Sequence, residues 1–230
     1  METGDLPYLV RPMKPSDIEK VMEIEQASFP TPWPASAYRY ELRRNDMAHY
    51  LVAESRESLL GEDFSGGERG LGTKLRQLVS RASFPTSIVG YGGFWLMERE
   101  AHIGTIAVKP EYRGRGIGEL LLATMVEEAV ELGAEVMTLE VRVSNHVAQK
   151  LYHKYGFAQV GLRRRYYSDN QEDALTMSTD PLTTPYFQTK FRDLKTLLRE
   201  KLKASAGRAV RSEITSGDGS EGETVQKPAS

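Results

Sequence analysis

The segment IAVKPEYRGRGIGELLL, residues 106–122, holds the most chemically pointed spacing in the chain. Arg113, Gly116 and Gly118 read R-x-x-G-x-G where an extended run gives way, through Pro110, to a helix. Glycines let the backbone approach an anion closely. The first N–H groups of a helix are unpaired, and its dipole adds positive potential there. Such a turn can hold a pyrophosphate, and Arg113 and Arg115 add charge. The plain alternative is a glycine turn before an ordinary helix; the strand–turn–helix setting favours the phosphate. Gly116 and Gly118 are both expected at a surface turn. Two other nucleotide cradles are excluded: there is no GxGxxG followed by an acid about 20 residues on, and no GxxxxGK[ST].

Two further groups could move protons. Glu140 sits in an alternating run that puts it on one strand face with Val136, Thr138 and Arg142, leaving Met137, Leu139, Val141 and Val143 on the other. A carboxylate in an apolar strand is costly unless paired, so it is either salt-bridged to Arg142 or another arginine, or kept for chemistry. Tyr152 shares a helix with Ala148, Leu151 and Tyr155, and is either a core aromatic with a satisfied hydroxyl or a proton donor. The four histidines, His49, His102, His146 and His153, show no metal-ligand spacing such as HExxH. His102 lies on a strand beside the expected cleft, as a structural or substrate-lining residue. No metal site is expected. With zero cysteines, disulfides, a thiol nucleophile and thiolate metal sites are excluded.

These groups need a frame, and period and punctuation supply one. A short extended run at 8–13 precedes a helix that Ser16 and Glu19 would cap as a capping box. Its apolar side is Ile18, Val21, Met22 and Ile24. The turn SFPTPWP ends it. A second helix is expected at 35–44 and a strand at 48–54. Residues 55–85, with five glycines, read as an insertion in a hairpin loop carrying one short amphipathic helix through Leu71, Leu75, Leu78, Val79 and Ala82. Strands follow at 87–97 and 100–108, a helix from Gly116 to Leu132, a strand at 135–143, a helix from Asn145 to Tyr155, and strands at 157–167 and 172–179. The crossover helix requires a parallel pair and the short turns require antiparallel ones. The fold class is therefore α/β (α+β), with a central mixed sheet flanked by helices. One domain spans 1–180; an appended amphipathic helix at 181–204 starts at Thr184 and Pro185; a Ser-, Gly- and Glu-rich tail at 205–230 is expected to be disordered.

The motif after IAV resembles the acetyl-CoA motif of the GNAT N-acetyltransferases. LEVRVSN at 139–145, LYHKYGF at 151–157 and RRRYYSDNQEDALTM at 163–177 are similar to the branch that acetylates ribosomal-protein alanines, the RimI type. The likeness covers roughly residues 8–180 apart from the insertion. Lys150, where the family often has alanine, is a small departure. The resemblance implies the GNAT acyl-CoA N-acyltransferase fold, with acetyl-CoA as co-substrate. Ile106, Ala107 and Val108 would offer backbone groups to the pantetheine arm. Arg113 would belong to the cradle, and Gly114, Arg115, Gly116, Ile117, Gly118 and Glu119 would surround the pyrophosphate. Asn145 would contact the cofactor, Glu140 would be the catalytic base and Tyr152 the general acid. Phe29 and Trp33 would line the peptide channel, or else plug the core. Tyr166 and Tyr167 would hold the acceptor's first residues, or else pack across strands.

The implied acceptor is a protein N-terminus: an N-terminal alanine, expected on the eighteenth small-subunit ribosomal protein. An α-amino group has a pKa of about 7.7–8.0 against about 10.4 for lysine, so a modest base suffices. Without cysteine, direct attack in a ternary complex is expected. The rivals are an acetyltransferase of lysine, polyamine or another small amine, a non-catalytic acyl-CoA-binding module, and an RNA-binding module built on the C-terminal helix. That helix has six basic and two acidic residues between Thr183 and Ala204, yet the whole chain carries −2 and a pI of about 6.2, which argues against nucleic acid as the general partner. The 230 residues include no apolar run of membrane-spanning length and the first ten do not resemble a signal peptide. A cytoplasmic protein, monomer or weak dimer, is expected.

Overall fold

The computed structural model describes residues 6–56 and 87–216, with side chains to residue 205. The expected insertion helix lies outside the described residues. Seven strands form one sheet: β1 (Tyr8–Pro12), β2 (Ala48–Ser55), β3 (Ser87–Met97), β4 (Glu100–Val108), β5 (Val136–Arg142), β6 (Phe157–Tyr167) and β7 (Glu172–Thr179), in the order β1-β2-β3-β4-β5-β7-β6. Every pairing is antiparallel except β4 with β5, which the crossover helix α3 (Ile117–Glu131) connects. The sheet is mixed, as the connection lengths demand. Ser55 pairs with Ser87, so the chain leaves β2 and rejoins β3 at the same point on the sheet.

Strand alternation sorts the core into two layers. Tyr50, Val52, Ile88 and Tyr91 face α1 (Ile18–Ser28) and α2 (Ala35–Arg44), meeting Ile18, Val21, Ile24 and Tyr38. Leu51, Ala53, Val89 and Leu139 face the other way, onto Leu121, Leu122, Met125 and Val126 of α3. Two helices complete that second layer: α4 (His146–Lys154) and α5 (Pro185–Ser216).

Helix α1 starts differently from the sequence expectation. A 3-10 turn at Pro15–Asp17 precedes it, and Asp17, not Ser16, receives the Lys14 N–H at 2.7 Å. The Arg11 guanidinium grips both Asp17 oxygens, at 2.6 and 3.0 Å, and reaches Glu54 at 2.5 Å. A carboxylate held by a guanidinium accepts stronger hydrogen bonds than a serine hydroxyl.

Helix α5 also departs from expectation. Thr184 caps it, accepting the Phe187 N–H at 3.3 Å, but the helix continues to Ser216, through twelve residues expected to be disordered. The composition there is Ser- and Gly-rich, yet Ala204, Ala206, Arg208, Ala209 and Arg211 are good helix formers continuing a helix already nucleated. Its apolar stripe lies on its own domain: Phe187, Phe191, Leu198 and Leu202 are buried, and Lys195 pairs with Glu127 of α3 at 2.7 Å.

Candidate active site

The sheet opens where chemistry is expected. β4 and β5 pair only from Glu100↔Val136 to Ile103↔Leu139, although β4 runs on to Val108 and β5 to Arg142. Beyond that point their facing edges are without a ladder, and backbone N–H and C=O groups need partners. A cleft of about 260 Å³ lies at this fork. Glu25, Trp33, Ile106, Glu140, Asn145 and Tyr152 are among the residues that line it.

Past the end of β4 comes the glycine turn expected to hold an anion, whose residues are not among those lining the cleft. Gly114 and Gly116 have φ of +77° and +89°, conformations that favour glycine. A Cβ on Gly116 would lie 3.1 Å from the Leu202 methyl, so α5 rests on this glycine and it is not simply a surface turn. A Cβ on Gly118 would meet only Val108, at 3.7 Å; the fold leaves that position room. Arg113 ties the cradle to its surroundings through Val108 O at 3.1 Å and Ser28 Oγ at 3.3 Å, and Arg115 lies over the Tyr112 ring. Ile117 is buried, and Ala107 packs into the α1 layer. Glu119 contributes its N–H to the first turn of α3, but its side chain turns inward. It accepts the Tyr155 hydroxyl at 3.1 Å and pairs with Lys154.

Glu140 projects into the middle of the cleft with its side chain only 6% exposed. Its partners are not Arg142 but His102, Nε2 to Oε2 at 3.1 Å, and Arg163, Nε to Oε1 at 3.2 Å. Arg142 is taken by the β6–β7 hairpin: it pairs with Asp169 at 2.8 Å and Glu172 at 3.0 Å and stacks on the Tyr167 ring at 3.8 Å. A chain of contacts leads from Glu140 to the surface. His102 Nδ1 lies 2.9 Å from Thr138 Oγ1, and that hydroxyl donates to the exposed Glu100 at 2.6 Å. With its proton turned to Glu100, the Thr138 oxygen is placed to accept from His102 Nδ1, while His102 Nε2 faces Glu140 Oε2.

Tyr152, on α4, is almost wholly buried and stands beside Phe157. Burial pushes its phenol well above the usual tyrosine value, and Tyr167 adds to the shift. It therefore stays protonated across the neutral range. Asn145 caps α4, accepting the Ala148 N–H at 3.1 Å, and lines the cleft. Tyr167 also lines it, its phenol pushed up to about 12 by burial against the opposing pull of Arg142. Tyr166 does not line the cleft. It stands outward, 44% exposed, edge-on to Tyr167. Adjacent strand residues point to opposite faces, so only one of such a pair can look inward.

One end of the cleft is aromatic. Phe29 and Trp33 line it, with Tyr38, Tyr50 and Trp95. The Trp33 ring lies 5.9 Å from Trp95 and 6.0 Å from Tyr38. Glu25, a buried carboxylate that also lines this end, was not among the residues expected here. It accepts the Trp33 N–H at 2.8 Å, the Tyr38 hydroxyl at 3.2 Å and the Tyr91 hydroxyl. Burial raises its proton affinity, opposed by the Trp33 and Tyr38 donors. Thr105 Oγ1 is buried with no partner among the described residues, and Thr105 lines the cleft too. Only the Pro-rich turn after α1 hinted at this wall. Among the described residues, no group of three His, Asp or Glu is placed to hold a metal, and no helix is long and apolar enough to cross a membrane.

Comparison with known proteins gives a consistent picture. Residues 69–157 match the model of the acetyltransferase (GNAT) family. A Bacillus subtilis protein, named provisionally as a ribosomal protein bS18-alanine N-acetyltransferase, is 41% identical over 168 residues, covering 73% of this chain and 92% of the relative. The Mycobacterium tuberculosis protein named N-alpha-acetyltransferase RimI is 33% identical over 180 residues, covering 76% of this chain and 93% of the relative. Among solved structures, the ribosomal-protein-S18-alanine N-acetyltransferase of Escherichia coli shares the fold, with a TM-score of 0.58 at 23% identity over 77% of this chain and 95% of that one.

Proposed function

This chain belongs to the GNAT family of acetyltransferases, and on that premise we propose that it transfers acetyl from acetyl-CoA to the α-amine of a protein N-terminus. The acceptor is an N-terminal alanine, that of ribosomal protein bS18, on the likeness to the Bacillus subtilis protein named for that reaction. The observation that carries the reading is the cleft itself. One space brings together the unladdered edges of β4 and β5, a carboxylate and a buried phenol, and the glycine turn follows where β4 ends.

Each group has a part. The open β4 edge from Thr105 to Val108 offers hydrogen bonds to the amide-bearing arm of the co-substrate. The start of α3, with Arg113 and Gly114 to Gly118, takes the pyrophosphate through unpaired N–H groups and the helix dipole. The acceptor's α-ammonium loses its proton to Glu140, whose other contacts, His102 and Arg163, hold the carboxylate on station. Part of an α-amine population is already neutral near pH 7, so the base has a modest task. The neutral nitrogen attacks the thioester carbonyl directly, the chain having no cysteine to carry the acetyl group. As the C–S bond breaks, Tyr152 donates its hydroxyl proton to the departing thiolate, and the second proton shed by the nitrogen as it becomes an amide restores the phenol. Burial keeps the phenol protonated, which leaves it a proton to give and makes it unsuited to acting as the base, while the same burial weakens it as an acid.

The test is a coupled thiol-release assay with acetyl-CoA and peptides differing only in their first residue, plus one with a blocked N-terminus and an internal lysine. We expect the alanine peptide to give the highest kcat/KM and the blocked peptide to give no turnover. A lysine-only profile would overturn the N-terminal assignment.

A further inference from the structure

We propose that Glu25 is the positioning residue of the acceptor end, holding the Phe29–Pro34 turn against the sheet and so fixing the wall on which the acceptor's first residue is seated. The inference rests on the reading that an amine acceptor enters along this aromatic end of the cleft.

The argument is geometric. Glu25 sits three residues before α1 closes at Ser28, and the turn it controls begins at the next residue, Phe29. Its two oxygens reach three different parts of the fold. Oε1 receives the Trp33 N–H from the turn; Oε2 receives the Tyr38 hydroxyl from α2 and the Tyr91 hydroxyl from β3. Tyr38 and Tyr91 are also in mutual contact, hydroxyl to hydroxyl at 3.2 Å. The turn itself contains three prolines and cannot hold itself down with a full set of backbone donors. A single buried carboxylate therefore sets where Trp33 stands. Trp33 in turn meets Trp95, whose ring lies flat on Gly104 at the mouth of the β4–β5 fork. A buried carboxylate without donors would be costly, so the three donors and the carboxylate hold one another in place. Glu25 is thus tied to substrate seating through Trp33, and not to the reacting atoms.

The chain's two tryptophans, Trp33 and Trp95, both line this end, which gives a readout independent of turnover. In a Trp95→Phe background Trp33 is the sole tryptophan, and acrylamide quenching of its fluorescence reports how tightly the turn is held. Glu25→Gln keeps the volume but exchanges acceptor oxygens for an amide that cannot accept from all three donors. Glu25→Asp keeps the charge but shortens the reach. Both should raise the quenching constant about twofold or more. Both should raise the KM of the acceptor peptide about tenfold, the scale of a lost hydrogen bond to a charged group. The KM for acetyl-CoA should move less than about twofold, and calorimetric acetyl-CoA binding should certify the fold of each variant. An unchanged quenching constant overturns the proposal whatever the kinetics. So does an equal rise in the KM of both substrates. If the wild-type protein acetylates only lysine peptides, the N-terminal assignment fails, but the same KM contrast, measured on the lysine peptide, still decides the role of Glu25.

Discussion

At the cofactor end, everything from the last residues of β4 to the first turn of α3 comes from one contiguous stretch, and most of its work is done by backbone. At the acceptor end, Glu25, Trp33, Tyr91, His102, Glu140 and Tyr152 arrive from separate elements, with Arg163 and Tyr167 together from β6, and act through side chains. The difference predicts two kinds of vulnerability. A backbone cradle is damaged by adding atoms where a ligand or a neighbouring helix must approach. A side-chain network is damaged by removing one atom, with the fold left standing.

The largest effects should come from the network. Glu140→Gln removes the proton acceptor and keeps the shape; Tyr152→Phe removes only a hydroxyl. General acid and base groups are each worth about 10²–10⁴-fold in rate. The two losses should differ in their dependence on pH. As pH rises from about 6 to about 9, more of the α-amine is neutral without help, so the Glu140→Gln deficit should shrink. The Tyr152→Phe deficit should persist, because burial keeps the native phenol protonated throughout and thiolate departure still lacks its donor. Rates at saturating acetyl-CoA over that range decide the matter. Parallel profiles, or losses under about threefold in both, would mean that positioning alone carries the catalysis.

The cradle sharpens the contrast from the other side. Gly118→Asp places a carboxylate at the proposed pyrophosphate site, in a spot with room for a side chain. Acetyl-CoA affinity should fall by about a hundredfold or more, with the thermal transition little changed. Gly116→Ala should do the opposite. Its φ of +89° and the Leu202 methyl 3.1 Å from a new Cβ should cost about 1–3 kcal/mol of stability. Calorimetry and thermal unfolding on the same pair separate the two. Equal behaviour of the two glycines would erase the distinction between a ligand-facing and a helix-facing position.

The same contrast explains what the sequence could show. The order of strands and helices, the parallel β4–β5 pair and the glycine turn before α3 are written in local spacing, so they were legible. Resemblance pointed to Glu140 and Tyr152, which line one cleft, but not to their partners. Strand alternation offered Arg142 to Glu140, because both lie on one face of β5. Register then brought His102 across from β4 and Arg163 from β6, while the β6–β7 hairpin claimed Arg142. Glu25 was invisible because nothing local distinguishes a helix glutamate that faces solvent from one that faces three donors. The appended helix was readable as amphipathic, but not its seat on Gly116, which depends on contact between residues more than eighty apart in sequence.

The smallest expected effect concerns how α1, which carries Glu25, is seated. Burial alone would raise the proton affinity of Asp17, but the Arg11 guanidinium and the Lys14 N–H outweigh it and hold the carboxyl below its ordinary range. A carboxyl depressed in the folded state contributes stability that is fully present above its unfolded pKa, about 3.9, and lost as pH falls through the folded value. Asp17→Asn removes that charge but keeps an acceptor for the Lys14 N–H. Arg11 retains Glu54, so the cost at neutral pH should be about 1–2 kcal/mol, between a surface pair and a fully buried one. Once the pH falls below the ordinary carboxyl range the native carboxyl loses its charge too, and the gap between wild type and variant in urea midpoint should narrow. A gap constant down to that pH would mean that Arg11 and Asp17 are linked by shape alone. If the variant also raises the peptide KM while acetyl-CoA binding holds, the acceptor end depends on the seating of α1 as well as on Glu25. If both substrates are untouched, α1 needs only its apolar face on the sheet, and the acceptor wall is set locally by the carboxylate at the far end of the helix.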